Sequence, residues 1–328
     1  MTSFVTGATG FIGSALVEYL VRNLEMTKVL WRRGSNIKLI DELAVEAVEG
    51  DLSDVETLKK SIGNAEVVYN IAAETRESRP YEKYRAVNVL GFRNLLEASL
   101  LAGVKHVVQV SAIDVYGFNL PNTPVDENFH PRPRHPYHRS KLEAETLALQ
   151  YMKDHPELGL TIIRPAIGFG PRDHRFTGRM LEGIRAGKIT LPSGGNNRVS
   201  LIYAKDVAKA LFLAAHSPMS SGKAYVVKGF DCTPRELVEE LASHMGHPAM
   251  ISSVPLALAY FMAATSEIFA KFTKSEPRVT RFRTEYVGRT RLLSDHKIRQ
   301  DLGYEPEYDL VKGCKETVEW FKERVWGG

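Results

Sequence analysis

The feature that most constrains this chain is a set of three evenly spaced glycines within its first thirteen residues. They follow a short apolar run (residues 3–5) and precede leucines at helical spacing. Where a strand turns into a helix, such glycines allow a tight turn and bring bare backbone close to a phosphate. The helix N-terminus also offers free N–H groups to a pyrophosphate. The pattern therefore predicts a dinucleotide-binding loop. Its predicted contact residues are Gly7, Thr9, Gly10, Phe11, Ile12 and Gly13.

Length and composition narrow the compatible classes of protein. A chain of 328 residues can bury a large core. Its 43 basic and 39 acidic residues, without a basic run, suit a phosphate-bearing cofactor or acidic ligand and argue against nucleic acid. Two cysteines, Cys232 and Cys314, make no disulfide framework, and no signal precedes the first strand, so we expect a reduced, cytoplasmic protein. We expect no metal site.

The longest apolar run, residues 254–264, is too short to span a bilayer. A core or lid helix is the favoured interpretation of this run. A peripheral contact with a membrane surface is the less favoured alternative.

Apolar runs alternate with helical patterns through the first two-thirds of the chain. The predicted strands are residues 3–5, 28–31, 45–48, 66–71, 106–110 and 160–163, and the predicted helices are 11–24, 54–61, 83–102 and 136–154. This alternation predicts an α/β fold of Rossmann type, a doubly wound parallel sheet covered by helices.

The pattern loosens after residue 168, which predicts a second, smaller lobe. Helices are predicted at 176–186, 206–215 and 234–245, with a strand at 224–227. We assign residues 1–167 to the dinucleotide-binding domain, with later returns to the sheet near 199–232. Residues 168–328 are assigned mainly to a substrate-binding lobe.

The end of the second strand indicates which nicotinamide cofactor is bound. An acid at this place bonds a ribose hydroxyl, whereas an arginine neutralises a 2′-phosphate. Here Arg32 and Arg33 follow Trp31, and no acid is present. The pair favours NADP over NAD, although two arginines at a strand end are also common as a solvated pair.

Other positions near the predicted sheet edge suit the same cofactor. Asp51 follows the third strand, where it can accept from an adenine amino group or cap the next helix. Ala72 and Ala73 end the fourth strand, and their small side chains leave room for a ribose or simply pack.

The main chemical signal is a tyrosine followed four residues later by a lysine. Tyr137 and Lys141 lie in a helical stretch and therefore share one face. An unperturbed phenol, with a pKa of about 10, is a poor acid–base catalyst at neutral pH. An adjacent ammonium and the positive ring of a nicotinamide favour the phenolate and lower that pKa.

Together these motifs make the chain similar to the extended short-chain dehydrogenase/reductase family, the NAD(P)-dependent epimerase/dehydratase group. The resemblance covers nearly the whole length. It rests on Thr6–Gly13, Gly50–Leu52, Ala72-Ala73, Asn88–Gly91, Ser111–Gly117, Tyr137–Lys141, Arg164-Pro165, Gly170-Pro171 and Ala204–Ala208. The resemblance implies that Tyr137 is the acid–base and Lys141 its partner. It also implies cofactor contacts by Gly7, Gly10, Phe11, Ile12, Arg32, Asp51, Leu52, Ala72 and Asn88, with Pro165 and Ile167 against the nicotinamide. For Asn88, a polar contact inside the protein is the alternative.

One position departs from the family pattern. The family carries Ser or Thr three residues before the valine of Val-Tyr-Gly, and this chain has Ala112. Alanine donates no hydrogen bond to a substrate oxygen, a loss that normally costs orders of magnitude in rate. Ser111 can take over this role, Asp114 or Thr75 can reach the substrate, or the reaction does not need the donor. Asp114 matches the carboxylate base of related dehydratases, or else it caps a turn.

Substrate contacts are predicted from the loop after the sixth strand and from a later arginine. Arg172 and Phe176 are candidates in residues 170–176, where a solvated charged loop is the alternative. Arg198 lies close to the arginine that sugar-nucleotide members carry, although Val199 is nearer the matching register. The C-terminal third is similar to the 3β-hydroxysteroid dehydrogenase-like and dihydroflavonol reductase-like branches. That similarity rests on residues 254–261, 277–280, 301–306 and 316–321.

Three functions remain open from the sequence. The leading hypothesis is NADP-linked hydride transfer between nicotinamide and an apolar secondary alcohol or ketone. The second is an NDP-sugar epimerase or dehydratase, and the third is a non-catalytic dinucleotide-binding protein. The resemblance also implies a homodimer that pairs through helices 83–102 and 136–154.

Overall fold

A seven-stranded parallel sheet forms the centre of the molecule. The computed structural model describes residues 1–77, 79–273, 275, 277 and 279–327, without the side chains of Leu39 and Lys271. Arg278, in the 277–280 segment quoted above, lies outside the described residues. The strand order is β10-β6-β5-β4-β1-β2-β3, with every neighbouring pair parallel. These strands are β1 (Thr2–Thr6), β2 (Met26–Trp31), β3 (Glu46–Glu49), β4 (Val67–Asn70), β5 (His106–Val110), β6 (Gly159–Pro165) and β10 (Ala224–Val227). The predicted fold class and its six strands are confirmed.

Helices flank this sheet and continue through the C-terminal part of the chain. They are α1 (Phe11–Arg22), α2 (Lys38–Asp41), α3 (Val55–Ile62), α4 (Tyr81–Arg85), α5 (Phe92–Leu101), α6 (Pro136–Asp154), α7 (Thr177–Arg185), α8 (Ala204–His216), α9 (Pro234–Met245), α10 (Leu256–Thr273), α11 (Arg281–Gly288), α12 (His296–Leu302) and α13 (Leu310–Arg324). The predicted helix 83–102 differs in one respect, because a π-helical turn, Ala86–Gly91, joins α4 to α5.

Burial explains why the sheet is so regular. Every residue of β1, β4 and β5 is buried, as expected for parallel strands with helices on both faces. Leu16 and Leu20 of α1 are fully buried against this core. Each such leucine contributes about 2 kcal/mol through the area removed from water.

The remaining strands belong to two small sheets beyond the carboxyl edge of the main one. A three-stranded sheet has the order β11-β9-β7, from Phe230–Cys232, Val199–Tyr203 and Ile167–Phe169. A two-stranded sheet pairs β12 (Ile251–Val254) with β8 (Ile189–Pro192). The predicted return to the main sheet near 199–232 is therefore wrong for residues 199–203 and 230–232. Only β10 returns, because Val199–Tyr203 pairs with β7 instead.

Helix α10 differs from the others in its exposed apolar face. Phe261, Phe269 and Phe272 are 66%, 68% and 83% exposed, whereas Ala263 is fully buried. The apolar run predicted as a core or lid helix is therefore the start of a half-exposed helix. Within the described ranges, no helix has the length and apolar character needed to cross a bilayer.

Candidate active site

The glycine loop forms a cradle that leaves no room for side chains. Gly7 has φ +70°, and a Cβ on it would lie 2.6 Å from the Ala72 nitrogen. A Cβ on Gly13 would lie 2.1 Å from the Gly7 carbonyl oxygen. Gly10 caps α1 without a side-chain hydrogen bond, so the first N–H groups of the helix stay open to an anion. This loop fits the pyrophosphate of a dinucleotide.

A chain of buried polar groups crosses the carboxyl edge of the sheet beside this loop. Thr6 Oγ1 donates to Asn70 Oδ1 (2.7 Å), and Asn70 Nδ2 donates to Gln109 Oε1 (2.7 Å). Gln109 Nε2 and Lys141 Nζ both donate to the Val110 carbonyl oxygen, at 3.1 and 2.9 Å. Because each member is satisfied, the chain fixes Lys141 relative to the strand ends.

The start of α6 places the predicted acid–base pair. His135 caps the helix by accepting from the Tyr137 amide (3.2 Å), and Pro136 occupies the first helical position. Lys141 lies one turn later, with Nζ 6.0 Å from the centre of the Tyr137 ring. The sequence prediction that these side chains share one face agrees with this geometry.

Burial controls the protonation of both groups. It raises the pKa of Tyr137, and the negative charge of Asp114 raises it further, while the charge of Arg175 acts in the opposite direction. Burial lowers the pKa of Lys141 to about 8, against the opposing effects of Glu145 and Asp114. For the protein groups alone, burial outweighs any lowering of the Tyr137 pKa and favours the neutral phenol. The predicted lowering by Lys141 together with the nicotinamide ring stays a prediction.

Ser111 carries a hydroxyl next to Ala112 in the sequence. Both residues line the cavity described below, and the Ser111 hydroxyl is buried without a hydrogen-bond partner among the described residues. An unpaired buried hydroxyl is costly in a folded protein and is typical of a site that binds a ligand. Of the three ways to replace the missing donor, the geometry favours Ser111.

Asp114 is held in a buried ion pair that the sequence did not reveal. Its Oδ1 accepts from Arg291 Nη1 at 2.9 Å, and Arg291 is fully buried. The Arg291 guanidinium also lies 4.3 Å from the centre of the Tyr286 ring. His138 Nε2 lies 3.9 Å from the same carboxylate, and burial lowers the pKa of His138 to about 4. Asp114 is thus paired, and it is not a simple turn cap.

One cavity of 660 Å³ joins the glycine loop, the tyrosine and the C-terminal lobe. A volume of this size suits a small-molecule ligand. Phe11 and Ile12 line it from the start of α1, Ser111 from the end of β5, Tyr137 from α6 and Pro165 from β6. Its outer walls are mostly apolar. They include Ala166, Phe176, Met180, Ile189, Leu191, Pro192, Val254, Ala259, Met262, Val279, Phe282, Tyr286 and Val287.

Several predicted cofactor residues have other partners. Asn88 uses its whole amide inside the protein: Oδ1 accepts from the Glu74 amide, and Nδ2 donates to Ser140 Oγ and the Glu74 carbonyl. Asn88 therefore holds the segment after β4 in place. Both donors of its amide are used within the protein, which does not favour the predicted direct contact with a cofactor. Leu52 is buried in the core.

Asp51 is exposed and accepts from the Ser53 amide at 3.0 Å. The alternative that Asp51 caps the next helix is wrong, because Asp54 accepts from Glu56 there. Ala72 lies against the glycine loop, and Ala73 follows it at the edge of the sheet.

The remaining predicted residues divide between the cavity and the surface. Thr75 and Phe176 line the cavity. Arg172 does not, because it pairs with Glu18 at 2.6 Å beside α1 and α13. Arg198 is exposed and lies outside the lining. Ile167 is buried in the core rather than in the cavity wall.

The two arginines that follow β2, Arg32 and Arg33, are not equivalent. Arg33 pairs with Glu49 at 2.9 Å, whereas Arg32 is exposed. Arg32 forms no ion pair with any described residue.

Sequence reasoning missed two arginines of the C-terminal lobe that pair with carboxylates of the cavity wall. Arg291 lies 177 residues from Asp114, and Arg283 donates to Glu77 across 206 residues at 2.7 Å. No local signal identifies such pairs. Arg175 did have a signal, since it belongs to the charged loop of residues 170–176.

These features together define a class of protein: an oxidoreductase that binds a nicotinamide dinucleotide. The profile of the NAD dependent epimerase/dehydratase family matches residues 3–227. The chain belongs to this family and is an NAD(P)-dependent enzyme of the extended short-chain dehydrogenase/reductase type.

Relatives of known activity include reductases and epimerases. The chain is 28% identical to 2-alkyl-3-oxoalkanoate reductase of Stenotrophomonas maltophilia, over 96% of this chain and 98% of that protein. It is 26% identical to an N-acetyl-α-D-glucosaminyl-diphospho-undecaprenol 4-epimerase of Escherichia coli O157:H7, over 96% and 93%. It is also 26% identical to a 3β-hydroxysteroid dehydrogenase/decarboxylase of Arabidopsis thaliana, over 98% of this chain and 62% of that protein.

A solved structure supports the fold. The UDP-glucose 4-epimerase of Thermotoga maritima superposes with a TM-score of 0.81, covering 99% of this chain and all of that chain at 24% identity. The predicted family resemblance, including its 3β-hydroxysteroid dehydrogenase-like branch, is confirmed.

Proposed function

We propose that this enzyme transfers hydride between a nicotinamide cofactor and an apolar ketone or secondary alcohol. One observation carries the proposal: Phe11 and Ile12, which follow the glycine loop, and Tyr137 line the same largely apolar cavity of 660 Å³. The apolar wall supplies affinity, because each buried CH₂ group of a substrate contributes about 0.8 kcal/mol. The polar end of the cavity then orients the reacting oxygen.

Tyr137 is the proposed proton donor in the reductive direction. Burial holds its phenol in the neutral form, so it gives its proton to the carbonyl oxygen that becomes the alcohol. The Ser111 hydroxyl, buried and unpaired, donates a hydrogen bond to the same oxygen. The Lys141 ammonium, fixed on the Val110 carbonyl, stabilises the resulting phenolate.

The residues that would hold the cofactor are those of the glycine loop and the adjacent strand ends. Gly7, Gly10 and Gly13 leave space for its phosphates, and the open start of α1 provides N–H donors. The bound cofactor supplies or accepts the hydride. Exposed Arg32, free of an ion pair, supports a preference for NADP over NAD.

An epimerase or dehydratase of nucleotide sugars is the second candidate, because the family model is that of epimerases and dehydratases and a 4-epimerase of an undecaprenol-linked sugar matches nearly the whole chain. Two features make it less favoured. Arg291 pairs the carboxylate of Asp114, and the cavity wall is mostly apolar. A nucleotide diphosphate needs more polar partners than this wall provides.

Net consumption of cofactor distinguishes the two candidates. Purified enzyme would be mixed with medium-chain ketones or with UDP- and dTDP-glucose, and reduced-nicotinamide absorbance followed for NADPH and NADH. A ketone-dependent loss of absorbance is expected. Sugar-nucleotide conversion without net change in absorbance, and no ketone turnover, would contradict the proposal.

Two further points belong to the proposal. Cys232 and Cys314 are buried and free, and burial raises the pKa of the Cys232 thiol to about 12, in keeping with a reduced cytoplasmic protein.

Two copies are proposed to pair through α5 and α6, whose outer faces expose Leu101 and Leu149 at 53% and 50%. Light scattering of the purified protein measures the oligomeric state.

A further inference from the structure

Arg175 places an unpaired positive charge on the wall of the cavity that contains Tyr137. Its Nη1 donates to Thr75 Oγ1 at 2.7 Å, and both residues line the cavity. Asp173 holds the backbone at this point by accepting from the Arg175, Phe176 and Thr177 amides. The guanidinium is therefore carried by a rigid helix start. Thr75, Arg175 and Tyr137 line the same cavity, so the guanidinium and the phenol face one ligand space.

The carboxylates around the cavity do not neutralise this charge. Glu77 accepts from Thr280 and Arg283 at 2.8 and 2.7 Å. Asp114 is paired with Arg291 at 2.9 Å, and Asp173 caps α7. Every lining carboxylate thus has another partner. In the described part of the chain, Arg175 forms no ion pair with any of them.

The geometry points to an anion subsite at Arg175, and we propose that the substrate is an apolar oxo or hydroxy acid whose carboxylate binds there. The inference rests on the proposed function, since it places the carboxylate within a few bonds of the carbon that Tyr137 serves. A guanidinium binds a carboxylate through two parallel N–H donors. The apolar wall receives the hydrocarbon chain. Arg175 would select between the acid and its uncharged analogues.

The second unpaired cation on the wall, Lys188, is less suitable. It lies beside β8, among residues 188–192 of the wall, and its ammonium forms no hydrogen bond within the described residues. The Arg175 guanidinium is instead anchored on Thr75 across the cavity lining. Arg175 is therefore the better-positioned cation.

The test compares one acid with its own ester. Oxidation of 3-hydroxydecanoate and of its methyl ester would be followed with NADP⁺ in the native enzyme and in Arg175→Met, Arg175→Lys and Arg185→Met. In this reaction the carbinol carbon gives hydride to the nicotinamide, and its hydroxyl proton goes to the phenolate of Tyr137. Arg185 is the matched control, because it removes the same charge at the end of α7, the helix that follows Arg175, outside the cavity lining.

We expect kcat/KM for the acid to exceed that for the ester at least tenfold. Arg175→Met would reduce the acid value about 10- to 100-fold, mainly through KM, as expected for losing hydrogen bonds to a charged group. The ratio of the acid value to the ester value would fall toward one, and Arg175→Lys would restore part of the preference. Equal use of acid and ester, unaffected by Arg175→Met in protein with native thermal stability, would overturn the subsite.

Calorimetric binding of decanoate and 1-decanol separates this failure from failure of the proposed function. If neither 3-hydroxydecanoate nor its ester is oxidised but decanoate binds more tightly than decanol only when Arg175 is present, the subsite stands and the hydride-transfer proposal fails. If the ester is oxidised and decanoate has no advantage, the proposed function stands and the subsite fails.

Discussion

The cofactor half and the substrate lobe are built by different means. In the cofactor half, recognition depends on backbone: a Cβ on Gly13 would meet the Gly7 carbonyl at 2.1 Å, and β1 is buried throughout. In the lobe, the cavity wall consists of side chains from segments far apart in sequence, as in the Arg283–Glu77 pair. Helix α10 even leaves large apolar side chains exposed.

The difference shows where this protein can vary. A backbone cradle accepts few substitutions, because its contacts are fixed by chain geometry rather than by side-chain chemistry. A side-chain wall can change its shape and charge while the sheet stays the same. Tyr137 lies at the boundary between these two regions. Helix α6 holds it beside the sheet, and it lines the cavity that the lobe closes.

Removal of the Tyr137 hydroxyl is expected to have the largest effect. Tyr137→Phe eliminates the proton donor, so kcat should fall about 10²- to 10⁴-fold, with cofactor affinity nearly unchanged. Steady-state kinetics and cofactor titration measure the two quantities. Tyr151→Phe on the same helix is the control, since Tyr151 does not line the cavity. An unchanged kcat in Tyr137→Phe would remove the tyrosine from the mechanism.

Truncation of one side chain in each region compares their packing. Leu16 is fully buried, so Leu16→Ala should lower the free energy of unfolding by about 2–5 kcal/mol. Phe269 on α10 is 68% exposed, so Phe269→Ala should change it by no more than about 0.5 kcal/mol. Denaturant titration measures both. A comparable loss of unfolding free energy in Phe269→Ala would mean that Phe269 is buried against another surface in solution.

Much of the cofactor half could be predicted from the sequence, for physical reasons. Strands buried on both faces give continuous apolar runs, and helices beside them give a 3.6-residue period. The glycine loop and the Tyr137–Lys141 spacing are local patterns, so their geometry follows from the chain itself. Residues 199–203 were assigned to the wrong sheet, because strand pairing is a long-range property.

The substrate lobe could be predicted only in part. Ser111 was one of three replacements considered for the missing hydroxyl, and only burial singles it out. The Asp114–Arg291 pair joins residues 177 apart, and no local pattern specifies it. The raised pKa of Tyr137 likewise depends on burial that the spacing of two residues does not reveal.

The protonation of Lys141 should limit the activity at alkaline pH. Its pKa is lowered to about 8, so the ammonium is present below that pH and lost above it. The neutral amine of Lys141 does not stabilise the phenolate as the ammonium does, so kcat/KM should decrease as pH rises through about 8. Lys141→Met should cost about 10- to 100-fold at pH 7. Lys141→Arg should keep its charge and lose this alkaline decrease, and a decrease that persists in Lys141→Arg would assign it to another group.

The smallest expected effect concerns the cofactor's phosphate and separates two neighbouring arginines. Arg32 has no ion-pair partner among the described residues, whereas Arg33 is engaged by Glu49 at 2.9 Å. Arg32→Ala should therefore raise KM for NADPH about fivefold, the range of an exposed charge interaction, and leave KM for NADH unchanged. Arg33→Ala should alter neither value by more than about twofold. If Arg32→Ala raised both values equally, the side chain would contact a part common to both cofactors, and the preference for NADP would have no basis at this strand end.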